Sequence, residues 1–568
     1  MPNRLEPINL ADFTGGLNLR SNQFQLGPNE SPEMENIVID PLGGIYTRKG
    51  WTRWNEDDIV DAETDTWDPR RALLMQLSDG TDLVYVVSDH ELWVAPLSGV
   101  FTQLTGVPCN AVPHMADFAV FGDDLYIACG RETSMRRRRG TAAVTTLTAS
   151  GLANWNDDYL TPTHGKAPKS ELCEAHSGYL FVANIEEDGV DYPNRLRWSH
   201  PTSQDDWAQP DFIDIGVGGS KITALASYED HLIIFKSDSI WALYGYDADS
   251  WQLVQKSTTA GTISPQHVTR NETAIFFFSG SDKGAVFAYG GERAIEIGVQ
   301  VRRAFETILV PELIWVGWLG RKLWITVPWS YDSGPAEDVV AVLVFDPSVG
   351  DGGAWTYFTS TTARLGPLVG GSNIDSQVAP LGVLRDQPRV VRLDHLDLAA
   401  DRLYDVAVWG GSEPESFIVT EDDEEIIMSG MPGDESFTTK YRTPWVTANW
   451  PTRKKSWRRA DYICRISERG YDIAVESFRD YEERNVARRH TVTVPPSGAG
   501  AVWGQFVYGD GTVWGAGGPK RGALIRRGSS QGMCKAIQLR LSGAPRTGVY
   551  PAWGVDAVVL KVVLRRFR

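Results

Sequence analysis

The stretch "ITALASYEDHLIIFKSDSIWALYGYD", Ile222 to Asp247, holds three short apolar runs divided by polar turns at Glu229-Asp230 and Ser237-Asp238. Each run is too short for a helix that would be stable by itself. The runs are rich in Ile, Leu, Phe, Trp and Tyr, which suit a pleated, buried surface. Polar turns of two or three residues reverse the chain directly, so the stretch reads as strand, turn, strand, turn, strand: an antiparallel meander.

The same texture extends in both directions. "ALLMQLSDGTDLVYVVSDHELWVAPL" reads as three strands with turns at "SDGTD" and "SDHE". "DFAVFGDDLYIACG", "SGYLFVANIEEDGVDYPNRLRWSHP", "TAIFFFSGSDKGAVFAYGGERAIEIG" and "LIWVGWLGRKLWITVPW" repeat it. About six such units fall between Arg70 and Ser360, at a period of roughly 40 to 60 residues that fits a propeller blade. A β-sandwich would also supply many short strands. The propeller is preferred because each unit is a self-contained meander followed by a polar break. "QVRRAFETIL", Gln300 to Leu309, is the best helical segment.

The chain has 568 residues, too many for one core, and 55 Gly, 31 Pro and 21 Trp suit turn-rich β structure. The expected class is all-β: an N-terminal extended arm with a β-hairpin over 1–55, a propeller-like body with acidic loops over 56–440, and a basic, β-sandwich-like C-terminal domain over 441–568. No apolar run reaches the roughly 18 residues that span a bilayer. The opening residues lack an apolar core of a secretory signal. Five widely spaced cysteines, with no CxxC, point away from a disulfide framework or zinc site and towards a reducing compartment.

Charge is uneven. From Lys440 to Arg568 there are 24 basic and 9 acidic residues, or +15, which leaves −33 for the remainder of a chain whose net charge is −18. Either two solvated surfaces each carry their own bias, or the two parts face different partners. Two basic clusters stand out: Arg136, Arg137, Arg138 and Arg139, expected in an exposed loop between strands, and Arg453, Lys454, Lys455, Arg458 and Arg459. Each is either a solvated face or a contact for DNA phosphate or a neighbour's acids; no nucleic-acid fold signature accompanies them. The acidic run Glu421 to Glu425 reads as a solvated turn, since it lacks the spaced ligands and tight glycine turn of a calcium loop. "PPSGAGAVWGQFVYGDGTVWGAGGPKRG" reads as a long glycine-rich loop or hairpin.

The motifs of common enzyme chemistries are missing. There is no GxSxG elbow and no HxxxH pair, and "GVGGSKIT" has the wrong spacing and flanks for a phosphate loop. His114, His176 and His231 fall at strand edges, where structural roles are usual. No catalytic residue, metal or cofactor is expected.

The opening "FTGGLNLRSNQFQLGPNESPEMENIVIDPLGGIYTRKGW" resembles the start of bacteriophage virion proteins built on a β-propeller, among them the tail nozzle, or tail tubular, proteins of short-tailed phages. Gly15, Gly16, Asn36, Gly43, Gly44, Arg48, Gly50 and Trp51 carry the match. The stretches 222–245 and 261–292 are similar to that family's central blades, and "KSWRRADYICRIS" and "LRRFR" fit its terminal domain in style. The resemblance covers about half the chain. It implies a structural ring, expected to be a hexamer, that extends the DNA ejection channel below portal and adaptor. It further implies contacts with tail fibres or spikes and with genomic DNA in the channel, a place in the virion tail after synthesis in the host cytoplasm, and no catalytic site. The alternatives are a receptor-binding or glycan-degrading tail protein and a cellular propeller scaffold. Pro28, Pro32 and Pro41 keep the first 51 residues out of a helix, and Gly43-Gly44 permits a turn between "NIVID" and "IYTRKGW". This segment is expected to strap onto the propeller or a neighbouring subunit.

Overall fold

The meander over Ile222–Asp247 is present. Ile222–Tyr228, His231–Lys236, Ile240–Tyr244 and Gln252–Ser257 form one four-stranded antiparallel sheet. His231–Lys236 is buried along its whole length because both its faces are covered. Leu232 and Ile234 pack towards the preceding sheet, Ile233 and Phe235 towards the following one. The side-chain period of two thus makes one continuous apolar strand serve two cores.

In this computed structural model the structure describes residues 5–20, 22, 25–55, 57–59, 67–88, 91–104, 116–131, 134–147, 168–187, 189–201, 204–208, 210–216, 220–280, 284–306, 308–330, 334–335, 341–360, 364–371, 380–393, 439–448, 451–465, 471–494, 523–527, 532–544 and 553–563. The acidic run 421–425, the glycine-rich stretch 495–522, His114 and the last five residues lie outside them. Two units emerge: residues 53–342 with 364–392, and residues 1–52 with 343–363 and 393–568.

The first unit is a β-propeller. Among the described residues its inner strands are Pro69–Gln76, Asp117–Phe121, Lys169–His176, Ile222–Tyr228, Val268–Arg270, Trp315–Leu319 and Leu365–Gly371, here called blades 1 to 7. Each lies beside the next, and the last returns beside the first, parallel to it, with Gly370 opposite Leu73 and Gly371 opposite Leu74. Six blades start between about Arg70 and Ser360, as expected, and a seventh beyond that range closes the ring. The seventh was missed because Leu365–Gly371 and Leu381–Leu384 carry glycines in place of apolar side chains and Val390–Arg392 has only three residues. Both ends of the unit meet in that blade. Trp54 N–H donates to the Val390 carbonyl (2.8 Å), Val390 N–H to Asn55 Oδ1 (2.8 Å) and Ile59 N–H to the Pro388 carbonyl (2.8 Å). Apolar cores fill the spaces between blades 1 and 2, 2 and 3, 3 and 4, 4 and 5, and 7 and 1. The helical segment is a single 3-10 stretch, Val299–Ala304.

The second unit is a sandwich into which the opening residues are woven. In one sheet the C-terminal strand Gly554–Val563 lies between Lys455–Arg465 and Leu5–Leu10 and also meets the hairpin Ile37–Ile39/Ile45–Thr47. In the other, Glu33–Glu35 pairs with Lys440–Arg442, followed by Ile537–Ala544, Tyr471–Arg479 and Arg488–Val494. Side chains join the sheets: Tyr471 Oη donates to the Gly554 carbonyl (2.8 Å), and Tyr462 Oη lies 3.2 Å from His490 Nε2. The opening segment therefore supplies strands to the same unit as residues 393–568.

Candidate functional site

The inner strands of the propeller surround a cavity of about 740 Å³. Charged side chains from four blades meet on its wall. Arg71 of blade 1 places Nη2 2.9 Å from Oδ1 of Asp117 in blade 2. Asp117 is buried, and its carboxylate also accepts from the backbone N–H of Phe118 (3.0 Å) and of Cys173 in blade 3 (3.2 Å). Glu174 of blade 3 faces Arg270 of blade 5 at 3.4 Å, and Arg270 Nη1 donates to the Ser227 carbonyl of blade 4 (2.6 Å).

Burial decides the protonation of these acids. It raises Asp117 against the opposing pull of Arg71. It pushes Glu174 up to about 7, with Asp117 adding to the rise and Arg270 and Arg71 opposing it. A carboxyl near 7 exchanges protons at physiological pH. His176, on the same inner strand, is held down to about 4 by burial and by His231, and its Nδ1 lies 2.8 Å from Ser227 Oγ. His231 stacks on Tyr244 at 4.5 Å. Both histidines are packed at strand ends.

Sequence reading missed Arg71, Asp117, Glu174 and Arg270. They are scattered over some 200 residues and belong to no motif. The one available signal was position: each sits in the first strand of its meander, the strand that faces the axis.

The basic clusters are placed differently from expectation. Arg136–Arg139 is not a loop but the third strand of blade 2, paired with Asp124–Ala128. Its side chains alternate between two neighbouring blades. Arg138 Nη1 donates to Tyr85 Oη in blade 1 (2.5 Å), while Arg137 holds Asp205 of blade 3 at 2.5 and 2.6 Å. Arg139 is exposed beside Asp124 at 3.5 Å, and Arg136 bonds Thr146. Four consecutive arginines are tolerated in a strand because both faces offer acceptors.

The second cluster is split by burial. Lys455 is buried, its Nζ donates to the Lys535 carbonyl (2.6 Å), and burial lowers its pKa. Arg459 is ion-paired with Asp461 (2.6 Å), and Lys561 shares that acid (2.8 Å). Arg453 is half-buried; Lys454 and Arg458 are exposed. Reversing all five charges would therefore place a glutamate in the core. On the other sheet of this unit, a cavity of about 390 Å³ lies against Lys440, Glu476, Arg489, His490 and Arg540. Its acid is already shared, Glu476 with Arg489 (2.6 Å) and with Arg540.

The opening motif residues form a buried knot. Asn36 sits at φ +55°, a conformation that asparagine tolerates better than most residues. Its Oδ1 accepts from Arg48 Nε (2.8 Å) and from Thr359 N–H (2.9 Å). The Arg48 guanidinium lies 4.5 Å from the Trp51 ring centroid. Gly16, at φ +66°, backs onto the Trp355 carbonyl, which a Cβ would meet at 2.8 Å. Gly43, at φ +96°, turns the hairpin, and a Cβ on Gly44 would stand 2.6 Å from Asp556 Oδ1. Gly15 is equally tight: a Cβ there would stand 2.8 Å from the Asn29 carbonyl oxygen.

No family model and no curated protein matches the chain. Among solved structures, virginiamycin B lyase from Staphylococcus aureus is 11% identical with a TM-score of 0.38, the match covering 59% of this chain and 97% of that one. The β-propeller domain of Cps50 (Swd1) from Myceliophteria thermophila is 9% identical with a TM-score of 0.37, covering 62% and 99%. At scores below 0.5 these likenesses assign nothing to the chain beyond the propeller that its own sheets display. No described helix is long and apolar enough to cross a membrane, and the described residues hold no cluster of His, Cys, Asp and Glu that would bind a metal ion.

Proposed function

We propose that this chain is a structural, non-enzymatic component of a bacteriophage tail: a nozzle-like ring subunit that extends the DNA channel. The observation that carries this reading is the fate of the residues that resemble the phage family. Asn36, Arg48, Trp51, Gly16 and Gly44 are buried in packing and hydrogen bonds, as a signature kept for architecture would be. The acids of the central cavity are held by arginines rather than set apart as an acid and a base, which favours a framework role over hydrolysis. In this reading the ring consists of copies of the chain, six being the expected number. It stacks on an adaptor or portal-side ring, receives fibres or spikes, and lines the path of genomic DNA. Lys454, Arg458 and Arg139 are the exposed members of the two basic clusters and could make such contacts.

Mass photometry of the purified chain, alone and with the portal–adaptor complex encoded in the same genome, tests the proposal. A complex heavier by about six copies supports it. A chain that stays monomeric with the adaptor and releases oligosaccharide from capsule or lipopolysaccharide would overturn it in favour of a glycan-degrading tail protein. Binding to neither would leave the cellular scaffold as the better reading.

A further inference from the structure

The acids on the wall of the central cavity are already satisfied. Asp117 has Arg71 and two backbone donors, Asp123 has the N–H (2.7 Å) and Oγ (2.5 Å) of Ser78, and Glu174 has Arg270 and a backbone donor at Ser227. The arginines keep surface to spare: both line the cavity, the Arg71 side chain 21% and the Arg270 side chain 43% exposed. A guanidinium carries five N–H donors, more than the one carboxylate and one carbonyl set against Arg270 can use. The cavity, at about 740 Å³, is within the range of small-ligand sites.

We propose that the centre of the propeller is a proton-linked oxyanion site, in which Arg71 and Arg270 hold a carboxylate or a tetrahedral oxyanion. This holds whether or not the chain stands in a tail. A guanidinium matches both anion shapes. Glu174 faces Arg270 from blade 5, Asp117 from blade 2 and Arg71 from blade 1, with Cys173 beside it in sequence. When Glu174 is ionised, the three acids outweigh the two arginines by one charge. When it takes a proton, acids and arginines balance, and the anion no longer meets a competing carboxylate at Arg270. Anion binding therefore draws a proton onto Glu174 near its pKa of about 7.

Calorimetric titration with sulfate and with acetate tests this, since neither changes charge between pH 6 and 8. At least one should bind, about tenfold more weakly at pH 8 than at pH 6. Sulfate alone would mark a phosphate-type site, acetate alone a carboxylate site. Arg270→Gln should lose most of the binding. Glu174→Gln should bind at both pH values as the wild type does at pH 6. Should a variant not fold, the wild type still decides: titration at pH 7 in two buffers of different ionisation enthalpy should reveal proton uptake. Failure of both anions to bind at millimolar concentration would overturn the proposal, as would binding that is pH-independent in the wild type or unchanged in Arg270→Gln.

Discussion

Arg442 Nε stands 2.9 Å from Glu33 Oε2, so a cation of the basic C-terminal region is neutralised by an acid near the start of the same chain. Lys440 with Glu35 (2.9 Å) and Arg465 with Asp40 (2.7 Å) repeat the arrangement. The contrast of +15 against −33 is thus partly answered inside one unit, by strand pairing that brings the ends of the chain together.

The Glu33–Arg442 pair is buried, and burial raises the Glu33 pKa more than Arg442 lowers it. Removing one partner strands a charge. Arg442→Met should cost about 3–5 kcal/mol in denaturant unfolding, and the double variant Glu33→Gln/Arg442→Met should recover much of that loss. Equal losses in the single and double variants would show the pair to be uncoupled.

The core between blades 4 and 5 depends on Phe235 and Phe277, whose ring centroids are 5.1 Å apart. Phe235→Ala should destabilise by about 3–5 kcal/mol. Phe235→Leu should cost less, since it keeps most of the buried volume.

Glu174 sets a pH signature. Its folded pKa of about 7 lies above the ordinary glutamate value of 4.5. Its contribution is therefore fully present below about pH 4.5 and is lost as pH rises through 7. Glu174→Gln removes this dependence, so the variant should gain on the wild type by up to about 3 kcal/mol between pH 4.5 and 8. His176, held near 4, acts in the opposite sense, losing stability as pH falls from 6.5 through 4. A difference between Glu174→Gln and wild type that does not vary with pH would contradict the assignment.

Burial around the start of Lys455–Arg465 separates two kinds of basic residue, the buried Lys455 and the exposed Lys454 and Arg458. Lys454→Glu/Arg458→Glu should fold with wild-type stability within about 0.5 kcal/mol. Lys455→Glu should not yield folded protein, because the new carboxylate would lie in the core beside Cys534 and the Lys535 carbonyl. In the proposed ring, reversing the exposed pair Lys454/Arg458 should weaken assembly, and raised salt should mimic the effect by screening.

The meanders were legible because period-two alternation and short polar turns are local. "HLIIFK" is apolar on both faces, and it is buried on both faces. The seventh blade was not legible, since glycine-rich strands such as "LGPLVGG" carry little apolar signal and are recognised by where they close the ring. Arg136–Arg139 looked like a loop because charge usually marks solvent; only the Tyr85 and Asp205 acceptors on adjoining blades make it a strand. The central cluster left one trace in the sequence, the place of each residue in the first strand of its meander. Arg71, Asp117, Glu174 and Arg270 meet through the ring, and nothing else in their own neighbourhoods announces it.

The central claim is that this chain is a ring subunit of a phage tail, and electron cryomicroscopy of the intact virions tests it most directly. The account predicts density for this propeller and its sandwich in a symmetric ring below the adaptor, expected as six copies around the DNA channel. Absence of the chain from the particle, or its placement as a peripheral spike away from the channel, would contradict it.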